Sequence, residues 1–419
     1  MSHIQVEAVK RAMDYEAQRN APPPDFPHLP DLHAGRYIDL EFFELERQEL
    51  FRKTWLFAAH MDEIPEPGSF KLWEMAGQPV VLIHARSGEV NAFYNTCTHR
   101  GAPVVREEFG KRRRLLCGYH GWAFDDEGAL VGVREPQDFA DLDFSCRSLL
   151  KIRCERFGRF VFVNFDDNAP PLSDYMGQVA EEMKEFNFDS VRLVKRYVVD
   201  LDCNWKIAME ANLEIYHVKS IHPTTVDPLL DSNRNVNSFF PGGHGRMLAP
   251  NRVDTLRTAA RGGGHAFPLM ENINEIARTG IQSYNMIPNW VSPLSNFGFP
   301  VLLFWPNGIR KTRFEVWFFG TNWGDDEVSP GWDHYIRNFQ SVLEEDTQFG
   351  NWIQKSVESY GFRSVPLSYQ EARIYYWHQT VDKIIGTDKI KPELQTPPVI
   401  TDDWIWPNDI IAHVSRSGG

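Results

Sequence analysis

Two short pairings of cysteine with histidine constrain this chain more than any other feature. Asn95-Thr96-Cys97-Thr98-His99-Arg100-Gly101 carries Cys-x-His. Cys117-Gly118-Tyr119-His120-Gly121-Trp122 carries Cys-x-x-His, with seventeen residues between His99 and Cys117. Thiolates select soft or borderline metals, and imidazole suits iron, zinc or copper. Two of each fit a tetrahedral zinc or an iron–sulfur cluster in which His replaces Cys on one of two irons. Gly101 and Gly121 follow the two pairs, where the backbone must turn tightly to approach a cluster. Short β-rich runs flank both loops, and together these neighbours favour the cluster over zinc.

At 419 residues the chain exceeds what one cluster-carrying module needs, so two domains are expected. A net charge of −13 argues against nucleic acid as a partner, because phosphate binding needs basic patches. The one basic run, Lys111-Arg112-Arg113-Arg114, reads as a solvated turn. Of five cysteines, Cys146, Cys154 and Cys203 lie outside the two pairs. So sparse a set is no disulfide framework, and it predicts a reducing, cytoplasmic setting with inert buried thiols. The first residues lack the charged-then-apolar layout of a signal peptide. The longest apolar runs are strand-length, so no membrane span is expected.

Along the chain, residues 4–19 predict an amphipathic helix. Ala21-Pro22-Pro23-Pro24, Pro27 and Pro30 then predict an extended arm. Helical spacing of Phe43, Leu50, Phe51 and Trp55 predicts a helix over 40–55. Short strands with turn residues between them follow from 58 to 165. Asp166 to Pro171 reads as a linker, with a helix after it over 172–186. The remainder alternates strands (191–201, 280–287, 299–304, 314–322) with helices (331–358, 368–384), and 232–264 reads as one long loop. The expected domains are an N-terminal helix and arm (1–45), a β domain carrying the cluster (46–166) and a larger α+β domain (167–419).

The larger domain holds a second constellation, Glu214-Ile215-Tyr216-His217-Val218-Lys219-Ser220-Ile221-His222-Pro223. Glu214 and His217 share a helical face. His217 and His222, five apart, do not, so their convergence needs a π-type widening or a helix end; Pro223 favours the end. Two His with one carboxylate form the facial triad of non-haem Fe(II) sites. On the later helix, Val342, Asp346, Phe349 and Ile353 form a stripe expected to face the core. An acid in such a stripe needs a cation or metal, so Asp346 is the expected third ligand, with Glu345 next. The aromatic segments at Phe239-Phe240, Asn289-Trp290 and Phe297 are candidates for pocket lining or for core.

With both constellations in place, the chain resembles the catalytic α subunit of Rieske non-haem iron ring-hydroxylating oxygenases, from about residue 40 to 385. The resemblance implies a small antiparallel β Rieske domain and a helix-grip catalytic domain with a curved antiparallel sheet. It implies a [2Fe–2S] cluster on Cys97, His99, Cys117 and His120, and a mononuclear Fe(II) on His217, His222 and Asp346. Electrons would come from NAD(P)H through a separate reductase, with or without a ferredoxin. A homotrimer is implied, with or without a β subunit, in which His120 of one chain reaches Glu214 of the next. Glu214 thus becomes the expected catalytic bridge, holding His217. Most ring dioxygenases have Asp there; Glu occurs in relatives that attack N-methyl or other alkyl groups. The Asn common just upstream is displaced, with Glu210 and Asn212 nearby.

The first expectation is O2-dependent hydroxylation of an aromatic or other apolar molecule. The alternative is oxidative N- or O-dealkylation, for example of a methylamine or quaternary ammonium compound. A non-catalytic iron–sulfur carrier or zinc protein would leave the second His pair unexplained.

Overall fold

The computed structural model describes residues 3–139, 141–252 and 261–401. The chain divides into two compact units, one of Phe51–Tyr175 and one of Met1–Leu50 with Met176–Gly419. These limits differ from the expected domains. The segment read as an N-terminal arm belongs to the larger unit, and the residues read as a linker belong to the smaller.

The smaller unit is a seven-stranded antiparallel sheet in the order Leu56–His60, Phe160–Asn164, Lys151–Phe157, Val90–Tyr94, Val80–His84, Ser69–Trp73, Phe109–Lys111. A three-stranded sheet (Leu115–Leu116, Ala123–Phe124, Leu130–Gly132) accompanies it. Strands such as Phe160–Asn164 read as unbroken apolar runs because they are buried along their whole length. Cys97, Cys117 and Trp122 join Phe70, Val81, Ile83 and Phe93 in one core cluster, so the metal loops are rooted in packed side chains.

The larger unit is built on a second seven-stranded antiparallel sheet. Its order is Arg192–Leu201, Thr312–Gly320, Gly298–Pro306, Trp290–Leu294, Gly280–Met286, His244–Pro250, Val236–Phe240. The last two strands form a hairpin where the sequence predicted a loop; Gly242 and Gly243, both at positive φ, make the turn. Residues 253–260 of that predicted loop lie outside the described residues. The helix His3–Gln18 packs Val9, Ala12 and Met13 against Val236, Leu248 and Ile276. Downstream, Leu32–His33 pairs with Ser364–Val365. The proline-rich stretch is thus tethered at both ends to its own unit.

Two predicted helices are shorter or broken. The helix over 40–55 is Leu40–Leu45 continuing as a π turn, Glu46–Leu50. That over 172–186 breaks at Gly177, whose φ of 51° no helix adopts. The long helix Gly331–Val357 forms as expected, with a different face inward. Ile336, Leu343, Gly350, Gln354 and Val357 are buried, whereas Phe349 and Ile353 are exposed. Gly350 permits the close approach, since a Cβ there would lie 2.9 Å from Cys203 Sγ. Among the described residues, no helix is long and apolar enough to cross a membrane.

Candidate active site and metal centres

The two Cys–His loops are built alike. Gly101 N donates to Cys97 O and Gly121 N to Cys117 O, each at 2.9 Å. Both glycines have φ of 76° with open space where a Cβ would go, so the left-handed backbone alone demands glycine. Both cysteines are buried, and the His99 and His120 rings lie 4.6 Å apart. Trp122 stacks on His99 at 4.7 Å. Burial pushes the Cys97 thiol up to about 11, and the neighbouring Cys117 sulfur adds to the shift. Two thiolates can coexist here only around a cation. His99 Nδ1 is buried without a hydrogen-bond partner, which suits a metal ligand.

In the larger unit His217 and His222 flank the four-residue helix Val218–Ile221 as its caps. His222 has left helical geometry (φ −115°, ψ 41°), and this helix end, not a π widening, turns the two imidazoles toward each other. Asp346 reaches them from the long helix. One donor atom from each of these three residues lies within 4.8 Å of the others. His222 Nε2 is 2.9 Å and His217 Nε2 3.6 Å from Asp346 Oδ1. That oxygen is nonetheless buried and accepts no aligned hydrogen bond, so the three groups converge on a shared point. The stripe of Val342, Asp346, Phe349 and Ile353 flanks the buried face instead of forming it: Phe349 and Ile353 are exposed, and Asp346 is half-buried against the histidine pair.

The far nitrogens are equally specified. His217 Nδ1 meets Glu214 Oε1, and the other oxygen, Oε2, accepts from His217 N at 3.1 Å. His222 Nδ1 meets Glu345 Oε2 at 2.6 Å, where Thr225 Oγ1 also donates. Glu345, the second choice as ligand, therefore holds the back of an imidazole. Desolvation lowers the pKa of each histidine, but the carboxylates outweigh it: Glu214 then Asp346 raise His217, and Asp346 then Glu345 raise His222. Three carboxylates around two imidazoles call for a cation.

A cavity of about 450 Å³ opens on this trio. Its walls are mostly aliphatic, with Tyr335 and Phe339 as its aromatic residues. Phe239, Phe240, Asn289, Trp290 and Phe297, the candidate lining, are buried and not part of its wall. A second cavity of about 300 Å³ shares Glu214, His217 and Asp346 and adds Glu210.

The family model of the Rieske [2Fe-2S] domain matches residues 54–143, and that of the ring hydroxylating alpha subunit catalytic domain matches 188–387. The carnitine monooxygenase oxygenase subunit of Escherichia coli (strain K12) is 31% identical over 336 residues, 79% of this chain and 85% of that protein. The chain belongs to the Rieske oxygenase family. A further relative is the glycine betaine monooxygenase oxygenase subunit of Pseudomonas aeruginosa (strain UCBPP-PA14). It is 31% identical over 195 residues, 46% of this chain and 45% of that protein, so the match spans under half of it. The quaternary ammonium Rieske monooxygenase CntA superposes with a TM-score of 0.73 at 21% identity, covering 87% of this chain and 99% of that one. That likeness establishes the fold.

As a Rieske oxygenase the chain carries a [2Fe–2S] cluster and a mononuclear iron. Its donor sets fit both, by the orphaned His99 Nδ1 and Asp346 Oδ1 and by the buried thiol pair. Sequence reasoning did not find the support around Glu210. Tyr37 Oη donates to Glu210 Oε2 at 3.0 Å. Arg36 Nε donates to His378 Nδ1 at 3.1 Å, which leaves His378 Nε2 to donate to Glu210 Oε1 at 2.8 Å. Arg36 in turn pairs with Asp382 at 2.7 Å, and Lys206 with Glu46 at 2.7 Å. Burial pushes Glu210 up to about 8 despite these donors. Each partner is distant in sequence, so no local pattern announces the network.

Proposed function

We propose that this Rieske oxygenase is the terminal component of a monooxygenase that hydroxylates a carbon bonded to nitrogen in a small quaternary ammonium compound. The observation that carries this reading is the wall of the larger cavity, where aliphatic side chains and the rings of Tyr335 and Phe339 stand beside the His217, His222 and Asp346 trio. A desolvated cation is stabilised by ring faces. The carnitine and glycine betaine relatives support the same choice, and so does Glu rather than Asp at position 214. The aromatic-substrate expectation has less behind it, since the aromatic segments that were candidates for pocket lining or for core are core.

When bound, the cluster and the iron supply electron storage and O2 activation. Cys97, His99, Cys117 and His120 hold the first; His217, His222 and Asp346 hold the second. Glu214 and Glu345 accept the Nδ1 protons of the two histidines, which fixes each tautomer with Nε2 free to ligate. The cavity excludes water and aligns the substrate carbon. Electrons come from NAD(P)H through a separate reductase. In a homotrimer, Glu214 would meet His120 of the neighbouring copy. In net terms one O2, two electrons and two protons convert the C–H bond to C–OH and release water. The hydroxylated product then breaks its C–N bond to an aldehyde, a tertiary amine and a proton.

Turnover of trimethylammonio compounds by the reconstituted enzyme, reductase and NADH tests this. Stoichiometric tertiary amine and aldehyde are expected. Dihydrodiols or phenols from an aromatic panel, with no amine released, would overturn it.

A further inference from the structure

Among the described residues lining the larger cavity, Arg261 is the one lysine or arginine. The buried arginines of this unit have their guanidinium groups committed: Arg36 pairs with Asp382 at 2.7 Å, Arg246 pairs with Glu182 at 2.5 Å, and Arg373 donates to the carbonyls of Ser283 and Asn212 at 3.1 and 3.3 Å. Arg261 has no carboxylate partner among the described residues and one hydrogen-bond acceptor, a hydroxyl. It donates from Nη1 to Ser295 Oγ at 3.2 Å, and its guanidinium lies 5.7 Å from the Phe297 ring centre. Most of its donor fork therefore remains uncommitted, facing a cavity. Desolvation lowers its pKa, with only Tyr335 opposing the shift. A half-buried guanidinium without a counter-ion is costly, and its planar fork matches a carboxylate or sulfonate.

We propose that Arg261 anchors an anionic group, carboxylate or sulfonate, on the substrate. Resting on the quaternary ammonium reading above, this makes the substrate a zwitterion. Its acid is held at Arg261 and its N-alkyl carbon presented to His217, His222 and Asp346. The spacing limits its shape. Tyr335, which interacts with Arg261, precedes Asp346 by eleven residues on the long helix. That is a rise of about 16 Å at 1.5 Å per residue. An acid held at Arg261 therefore belongs several bonds from the carbon that is oxidised, on an extended molecule. Ser295, buried on the sheet side, fixes the fork by accepting one of its N–H groups.

The test compares wild type, Arg261→Gln and Arg261→Lys, each with both metal sites loaded. The probes are 4-(trimethylammonio)butanoate, its carboxamide and benzenesulfonate, with KM from turnover and Kd from calorimetric titration. Wild type should prefer the acid over the amide. Arg261→Gln should lose that preference through a rise of roughly 10- to 100-fold in KM and Kd for the acid, as expected for one charge-assisted contact. Arg261→Lys should fall between them. An unchanged acid-to-amide ratio in Arg261→Gln overturns the anchor. If wild type turns over neither ammonium probe but binds benzenesulfonate in an Arg261-dependent way, the anchor stands and the quaternary ammonium reading falls. Should Arg261→Gln fail to fold, Ser295→Ala serves in its place. It should weaken the acid selectively, and equal weakening of acid and amide overturns the proposal.

Discussion

Each imidazole at the mononuclear site has one nitrogen committed to a carboxylate behind it and one directed toward Asp346, so the roles of three acids can be separated by experiment. Asp346→Ala should empty the mononuclear site while leaving the visible and EPR spectrum of the cluster intact. Iron retained in that variant would move the ligand role to Glu345. Glu345→Gln should keep the site but weaken iron binding by roughly 10- to 100-fold, the usual effect of removing a partner of a ligating histidine; metal titration measures it. Glu210 supports a prediction of a different kind. Its carboxyl, pushed up to about 8 by burial, stays protonated in the folded chain while the unfolded chain ionises near 4.5. The unfolded state then binds fewer protons, so stability falls as pH rises between those values. Glu210→Gln should flatten the decline across the window; thermal melts from pH 5 to 9 read it. At this scale the sequence revealed residues whose spacing is itself chemical, the Cys–His pairs and His217 with His222. It gave no sign of Glu345 behind His222, 123 residues away in the chain, or of Arg261, which sits in no pattern.

Elements turn that spacing into geometry. The helix between His217 and His222 is only four residues long, so its ends, not its face, aim the ligands. The long helix delivers the third ligand, and its height over the sheet is set one turn later, where Gly350 lies against Cys203. Gly350→Val should lift the helix and lower iron content several-fold without changing the cluster spectrum. Adding Cys203→Ala, which clears the space, should restore part of it; metal analysis of the two variants decides. Helix and strand positions were largely legible because burial imposes its period on the residues. The inward face of the long helix was not, because its apolar side chains Phe349 and Ile353 are exposed, while Gly350 and Gln354 are buried. The break at Gly177 and the hairpin at Gly242-Gly243 depend on single left-handed residues inside otherwise ambiguous stretches.

For the molecule as a whole, the proposed trimer makes a prediction that no single chain can. Chains with His120→Ala keep an intact mononuclear site, and chains with Asp346→Ala keep an intact cluster. If electrons pass between copies, neither variant alone should turn over. Mixed trimers refolded or co-expressed at equal ratio should recover about a quarter of wild-type activity, the share of sites that pair a sound donor with a sound acceptor in a cyclic trimer. No recovery, with mixed trimers verified by mass, would confine transfer to one chain. The division into two units was visible from the change in pattern near residue 58. Its edges were not, since the proline-rich stretch reads as an arm until the pairing of the residues that follow it, Leu32–His33, with Ser364–Val365 is known. That tethering bears on synthesis. Leu32 waits for Val365 and Arg36 for Asp382, while Phe51–Tyr175 needs nothing made after it to complete its sheet. During synthesis, Leu32, His33 and Arg36 therefore stay without these partners until residues 364, 365 and 382 have been made.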